Sequence, residues 1–288
     1  MHTRAEDPHG HVVSASGRHP LRVGVLCSHR APGLTYVLDR DVNRGRLYDV
    51  VCCLTSEDSF AEEAAAAAHD VPVMSHPIRR FCRARGWCLL DPIGRAAYDS
   101  ETVRLLAPYR PDLVVLAGYL YVLTEPMLAS FPHRVINVHH SDLTVRNDDG
   151  RSRLTGLRAV RDAILTGAHE TRATVHLVTE ELDQGPPFLR SWAFPVSPLV
   201  SDALASHATD VLKAYVYAHQ EWMIRATWGS LMAGAIELIA RRRLDLSELT
   251  QMSHSELGAP WELDEAGRIR GRGPLRPAQE PLHMARVS

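Results

Sequence analysis

Residues 135–139 read Val-Ile-Asn-Val-His, and residues 174–186 read Thr-Val-His-Leu-Val-Thr-Glu-Glu-Leu-Asp-Gln-Gly-Pro. Each stretch contains a short apolar run, which is typical of a buried strand in an α/β sheet. Open α/β sheets place their ligand crevices at strand ends. We therefore expect the polar side chains of the two stretches to meet at one site: Asn137, His139, His176 and Asp183.

Apolar strands alternate with helical stretches from residue 21 onward. The pattern predicts strands at 22–27, 48–54, 71–74, 113–117, 135–138 and 174–178. It predicts helices at 60–68, 98–106, 125–129 and 157–165, with two more between 201 and 240. This alternation indicates an α/β protein with a Rossmann-like, doubly wound and mostly parallel sheet.

The chain divides into three parts by composition. Residues 1–20 are rich in His, Gly, Ser and charge without periodicity, so we expect a disordered N-terminal arm. Residues 21–243 form the expected catalytic domain. Residues 244–288 lose long apolar runs, and we expect a C-terminal extension that is ordered no further than Trp261.

Charge and hydrophobicity exclude several classes of protein. The formal net charge is −2 over 288 residues, which offers no basic surface for nucleic acid. No apolar run approaches eighteen residues and the first twenty lack a signal core, so we expect a cytoplasmic protein without a membrane partner. The five cysteines form an odd set, and Cys82-x5-Cys88 lacks the spacing of a zinc site. Adjacent His139 and His140 point to opposite faces of a strand, so we predict no metal.

Asn-x-His at 137–139, together with Thr-Val-His-x6-Asp-x-Gly-Pro from Thr174, resembles the folate-dependent formyltransferase family, and most of all its glycinamide ribonucleotide formyltransferases. The resemblance covers roughly residues 21–243. It implies an N-formyltransferase that uses 10-formyltetrahydrofolate as co-substrate. We expect a small-molecule amine as partner and leave a homodimer open.

The resemblance also implies roles for individual residues. Asn137 would donate its amide to the developing oxyanion, and His139 would carry the proton or act as an electrostatic partner. Asp183 would orient His139 or a water, while His176 would organise the site from behind. The folate site would be formed by two segments, with Tyr119, Leu120, Tyr121, Val122 and Leu123 in the first and Val178, Thr179, Glu180 and Leu182 in the second.

The chain departs from the family pattern where the acceptor should bind. The family cradles a phosphate on a glycine-rich loop after the first strand, but here residues 28–33 read Ser-His-Arg-Ala-Pro-Gly. Pro32 removes an amide donor, although a guanidinium at Arg30 could still capture an anion. A polar segment at 144–155 is expected to be a substrate-specific loop. The candidate acceptor contacts are Ser28, Arg30, Arg146, His219 and Glu221.

Together these departures favour a retained donor and a changed acceptor, so glycinamide ribonucleotide is not the expected substrate. One alternative is a hydrolase that releases formate from the same folate, because water in place of the amine needs the same catalytic groups. We expect no N-terminal regulatory domain of the kind that such deformylases carry, which disfavours this alternative. The other alternative is a catalytically silent folate-binding homologue.

Overall fold

The computed structural model describes residues 19–28, 30–58, 66, 68–252 and 254–271. The strands of its large sheet are β1 (Leu21–Cys27), β2 (Tyr48–Thr55), β3 (Val73–Ser75), β4 (Leu113–Leu116), β5 (Val135–His139), β7 (Thr174–Leu177), β8 (Pro187–Ser191), β10 (Trp261–Leu263) and β11 (Ile269–Arg270). A separate two-stranded ribbon pairs β6 (Glu170–Thr171) with β9 (Phe194–Pro195).

Helices flank the sheet within the described residues. They are α1 (Pro32–Asp39), α2 (Ile78–Arg83), α3 (Pro92–Leu106), α4 (Glu125–Ser130), α5 (Ala159–Leu165), α6 (Leu199–Ala205), α7 (Thr209–Ala240), α8 (Leu246–Leu249) and α9 (His254–Leu257). A 3₁₀ turn at Ala107–Tyr109 follows α3.

The sheet confirms the predicted α/β architecture. Its strand order is β11-β10-β8-β7-β5-β4-β1-β2-β3. From β3 to β5 every neighbouring pair is parallel, whereas β7 runs antiparallel to β5 and β8 runs antiparallel to β7. The central strands β1 and β4 are almost entirely apolar because helices cover both faces of a parallel sheet.

The long helix α7 packs against α1 through glycines. A Cβ added at Gly229 would lie 2.3 Å from Cγ of Tyr36, and one at Gly33 would lie 2.9 Å from Sδ of Met232. The two helices therefore approach too closely for larger residues at these positions. This packing places one face of α7 beside the carboxyl ends of β1 and β4.

Several boundaries differ from the sequence predictions. Helix α3 begins six residues earlier than predicted, because Asp91 caps it by accepting the amide of Ile93 at 2.9 Å and Pro92 occupies its first turn. Helix α2 and strand β8 were not predicted. Most of the predicted helix at 60–68, and residues 1–18 of the predicted arm, lie outside the described residues.

The prediction for the C-terminal extension is wrong in its extent. Strand β10 pairs in parallel with β8, and β11 pairs with β10, so order continues past Trp261 to residue 271. Trp261 and Leu263 are buried in the core, which gives this segment a reason to fold against the sheet. Residues 272–288 lie outside the described part of the chain.

Candidate active site

The four predicted polar side chains converge at the end of β5. Asn137 lies opposite His176 in the antiparallel pairing of β5 with β7, and their Nδ2 and Nε2 atoms are 3.1 Å apart. The Asp183 carboxylate lies 3.7 Å from Nε2 of His139 and 3.6 Å from Nε2 of His176. Both gaps are longer than a direct hydrogen bond.

The backbone around Asp183 is specialised for this position. Asp183 adopts a left-handed conformation with φ of 53°, which aspartate tolerates better than most residues. Its Oδ2 accepts the amide of Gly156 at 2.7 Å. Two residues on, a Cβ at Gly185 would lie 1.8 Å from the carbonyl oxygen of Leu177, so only glycine fits. The Asp-x-Gly spacing of the motif is therefore a steric requirement of the loop.

Burial holds His139 neutral. Its pKa lies well below the usual value, first because the ring is desolvated and then because His140 and His176 stand nearby. A hydrogen bond to the backbone of Leu154 acts in the opposite direction and is outweighed. Among the described residues Nε2 of His139 has no hydrogen-bond partner. A neutral imidazole with an unengaged nitrogen can accept a proton.

His176 orients Asn137. Burial lowers the pKa of His176, although Asp183 and the backbone of Leu177 oppose the shift. Its Nδ1 lies 3.0 Å from the Leu177 carbonyl, an arrangement that favours the tautomer donating from Nδ1. Nε2 then accepts one N–H of the Asn137 amide. The other amide N–H stays available for an oxygen atom in the site.

Two cavities meet at Asn137 and His139. The first, which we call the loop cavity, has a volume of about 270 Å³ and lies between residues 119–123 and 178–183. The second, the helix cavity, has a volume of about 290 Å³ and lies between Arg30, Pro32 and α7. Their shared wall consists of Tyr119, Leu120, Asn137, His139 and Leu157. One pair of polar side chains therefore faces two ligand-sized spaces.

Eight of the nine residues predicted to bind folate line the loop cavity. Glu180 does not line it, and its neighbour Glu181 does. The sequence analysis also did not single out Leu116, Gly156 and Leu157. These three are apolar or lack a side chain, so residue type carried no functional signal.

Helix α3 holds the first loop of this cavity in place. Arg95 donates to the carbonyl of Val122, and Asp99 accepts the amide of Thr124 at 2.6 Å. Both charged side chains are buried on one face of α3. Residues four apart lie on the same face of a helix, so the spacing of Arg95 and Asp99 could have indicated this supporting role.

The helix cavity contains only part of the predicted acceptor set. Arg30 lines it and forms a bidentate ion pair with Glu221 of α7. The Arg30 hydrogen bond is the largest cause of a lowered Glu221 pKa, and Arg225 contributes further. Gln220, Ile224 and Trp228 complete the α7 side of the wall. They recur every four residues, so helical periodicity could have identified this face.

The other three candidates line neither the loop cavity nor the helix cavity, and their substrate contacts stay a prediction. Ser28 is fully buried, and its hydroxyl accepts the amide of Leu120 at 2.9 Å. Arg146 donates to the carbonyl of Gly150 at 3.1 Å within its own loop. His219 lies 2.7 Å from Oγ1 of Thr171 and lines neither cavity.

The polar segment at 144–155, whose role as a substrate loop stays a prediction, lines a separate cavity beside His140 through Val145, Arg153 and Leu154. It forms a small hairpin in which Arg146 bridges Ser152. Gln184 of the Asp-Gln-Gly-Pro motif clamps it, accepting the Ser152 amide at 2.8 Å and donating to its carbonyl at 3.2 Å. No residue of this segment lines the loop or helix cavity. Because Gln184 is the neighbour of Asp183, its two hydrogen bonds to Ser152 help to fix the loop that carries Asp183.

The described part of the chain contains neither a metal-binding cluster nor a helix suited to a membrane. No group of three His, Cys, Asp or Glu side chains there is arranged to hold a metal ion. Cys82 is buried and Cys88 is exposed. None of the described helices combines the length and hydropathy needed to cross a membrane.

Comparison with known proteins yields consistent matches. A family model described as formyl transferase matches residues 21–227. The phosphoribosylglycinamide formyltransferase of Escherichia coli (strain K12) is 36% identical over 97 residues, covering 34% of this chain and 42% of the relative. The formyltetrahydrofolate deformylase of the same strain is 37% identical over 96 residues, covering 33% and 31%.

A solved structure extends the likeness over more of the chain. The glycinamide ribonucleotide transformylase 1 of Symbiobacterium toebii superimposes with a TM-score of 0.54 at 28% identity, covering 78% of this chain and 90% of that one. By contrast, this chain spans less than half the length of the first curated relatives it matches.

Proposed function

Because the chain belongs to the formyl transferase family, we propose that it is an N-formyltransferase. It moves a formyl group from 10-formyltetrahydrofolate to a small-molecule amine other than glycinamide ribonucleotide, in the cytoplasm. The observation that carries this proposal is that Asn137 and His139 line both cavities. Transfer between two bound molecules requires catalytic groups on the wall that separates them.

The loop cavity is the proposed donor site. Its walls are mainly apolar with a few polar side chains such as Asn137 and His139, a combination that suits a flat heteroaromatic ring. The anchoring of Val122 and Thr124 by α3 keeps the first loop preorganised.

The catalytic residues perform three tasks in this proposal. The acceptor amine attacks the formyl carbon, and Nε2 of His139 takes the proton that the amine loses. An amide N–H of Asn137 donates to the oxyanion of the tetrahedral intermediate. The carboxylate of Asp183 stabilises the imidazolium, and the proton passes to the folate nitrogen as its bond to carbon breaks.

The helix cavity is the proposed acceptor site, and its charges argue against a phosphate-bearing amine. Pro32 has no amide to offer an anion, and the Arg30 guanidinium is already paired with Glu221. Phosphate binding to Arg30 would take one cation away from the mostly buried Glu221 carboxylate and leave it the exposed Arg225 at 3.4 Å. An acceptor without a negative charge fits this wall better.

The test is a screen of amines with 10-formyltetrahydrofolate, followed by release of tetrahydrofolate. The panel contains glycinamide ribonucleotide, amino sugars, amino-acid side-chain amines and hydroxylamines. We expect turnover with an uncharged amine and little with glycinamide ribonucleotide, and none in Asn137→Ala. Efficient formylation of glycinamide ribonucleotide would overturn the acceptor assignment.

The hydrolase alternative is favoured by one observation, the match to formyltetrahydrofolate deformylases. Formate release at the same rate with and without amine would establish it. Saturable binding of a folate analogue without any turnover would instead indicate a silent homologue. Absence of folate binding at micromolar concentration would contradict the family function.

A further inference from the structure

Glu262 of β10 lies 35 residues beyond the end of the family match at residue 227. Its Oε2 atom is 3.0 Å from Nη1 of Arg172 and 3.1 Å from Nη2 of Arg190. Arg190 sits directly across from Glu262 in the β8–β10 pairing. One carboxylate of the extension therefore binds two guanidinium groups.

The same two arginines face Asp142, three residues after His139. Oδ2 of Asp142 is 3.7 Å from Nη1 of Arg190 and 4.0 Å from Nε of Arg172. Its other oxygen, Oδ1, accepts the amide of Thr144 at 2.9 Å and so closes the turn after β5. Asp142 thus belongs both to the turn and to the charge network.

This turn is connected to the catalytic ring. The carbonyl of Ser141 accepts a hydrogen bond from Thr174 at 2.7 Å, and the Ser141 hydroxyl donates to the carbonyl of Leu154. Thr174 is paired with His139 across β5 and β7. A displacement of Asp142 would therefore be transmitted to the atoms that orient the imidazole.

The network joins two guanidinium groups to three carboxylates in a partly buried place, since Glu170 also lies 3.2 Å from Nε of Arg172. The side-chain exposures are 14% for Arg172, 14% for Asp142 and 39% for Glu262. Groups shielded from water interact more strongly than exposed pairs. Without Glu262, Arg190 would lose its nearest carboxylate while Arg172 kept Glu170 and the Ser191 carbonyl, so the attraction of Arg190 for Asp142 would strain the Asp142–Thr144 hydrogen bond.

We propose that Glu262 is a positioning residue for the active site, which acts through Arg172 and Arg190 on the Asp142 turn and so on His139. The C-terminal extension then completes the catalytic machinery as well as the sheet. The kinetic part of this inference rests on the proposed function, whereas the structural part does not.

The test compares Glu262→Gln with Glu265→Gln in the full-length chain. Glu265 is an exposed residue of the same extension and serves as the matched control. We expect Glu262→Gln to lower kcat about tenfold, because misplacing a catalytic group by 1 Å costs up to about a hundredfold. KM for 10-formyltetrahydrofolate should stay unchanged, since Glu262 does not line the loop cavity.

Hydrogen exchange supplies a readout that needs no turnover. In Glu262→Gln the amides of residues 140–154 should exchange faster than in Glu265→Gln, while those of 118–123 should not change. Equal exchange and equal kcat in the two variants would overturn the proposal. Faster exchange with no activity in the wild type would retain the positioning role and reject the proposed function.

A double-mutant cycle with Asp142→Asn separates this role from general destabilisation. If Glu262 acts through Asp142, the effects of the two substitutions on kcat should be clearly less than multiplicative. Multiplicative effects, or a loss that a lowered melting temperature accounts for, would contradict the coupling.

Discussion

The loop cavity and the helix cavity share a wall but are built in different ways. The loop cavity is enclosed by two segments close in sequence to the Asn-x-His and Asp-x-Gly motifs, with mostly apolar side chains. The helix cavity depends on a contact between Arg30 and Glu221, which are 191 residues apart. The first is determined by local sequence and the second by how α7 packs against the sheet.

Because the two cavities are built from different elements, we expect substitutions in one to leave the other unchanged. Substitutions on the face of α7 can reshape the acceptor side while the catalytic pair and the donor side stay as they are. Asn137 and His139 line both cavities, so we expect a substitution at either residue to affect both. We expect the effects of substitution to be largest at these two residues and smaller farther from them.

The largest effect is expected at the shared wall. Asn137→Ala removes the oxyanion donor, which should cost about 3 kcal/mol in barrier and lower kcat by about a hundredfold or more. Donor affinity, measured by calorimetry, should remain within about tenfold. Asn147→Ala, an exposed asparagine outside both cavities, is the control. Near-normal turnover in Asn137→Ala would remove this residue from the mechanism.

The next prediction concerns the steric constraint on the loop that carries Asp183, at the proposed donor side. Gly185→Ala would place a Cβ 1.8 Å from the Leu177 carbonyl, so the loop carrying Asp183 must move. We expect a loss of about 3 kcal/mol or more in the free energy of unfolding and a loss of donor binding. Gly150→Ala, with φ of 78° and open space around it, should cost only about 1–2 kcal/mol. Equal urea midpoints for the two variants would contradict the steric argument.

On the proposed acceptor side, substrate preference should respond to loss of the ion pair between Arg30 and Glu221. Glu221→Gln removes the charge that holds the guanidinium, so glycinamide ribonucleotide should improve as a substrate by about tenfold in kcat/KM, or about 1.4 kcal/mol. Donor affinity should not change. Glu237→Gln, which breaks an ion pair with Arg241 on the same helix, is the matched control. A change in donor affinity would show that the two halves are not independent.

The smallest expected effect is a pH dependence of stability. Burial lowers the pKa of His76, His139, His140, His176 and His219. The unfolded chain therefore binds protons first, near pH 6.5, and stability present above that pH is lost as the pH falls toward the folded values. Each group contributes at most about 1.4 kcal/mol per pH unit. Urea unfolding between pH 7.5 and 5.5 should show a smaller slope in His219→Asn than in the wild type, and an equal slope would contradict the assignment.

The sequence predicted the sheet and most residues that line the loop cavity because both follow from local patterns. Strand runs such as 113–117 and motif spacing such as Asn137 to His139 need no knowledge of distant contacts. The internal contacts of Ser28 and His219 could not be predicted for the opposite reason, since their hydroxyl and imidazole meet Leu120 and Thr171 of other elements. Polar residue type alone does not distinguish a ligand contact from an internal hydrogen bond.

The extension was underestimated for a related reason. Two short strands of three and two residues carry too little periodicity to be recognised, and they are stabilised by the pairing of β10 with β8 and of β11 with β10. Arg95 and Asp99 were missed because a charged pair on a helix is usually solvated, whereas here both are buried.

The position of β10 also bears on how the protein can be handled. Strand β8 is paired on one side with β7 and on the other with β10, and Leu189 and Arg190 have partners on both sides. A recombinant fragment trimmed at residue 227, to the limit of the family match, would expose the apolar edge of β8 as a template for intermolecular pairing. Such a fragment should be recovered as insoluble aggregate, and affinity tags at a shortened C-terminus would meet the same difficulty.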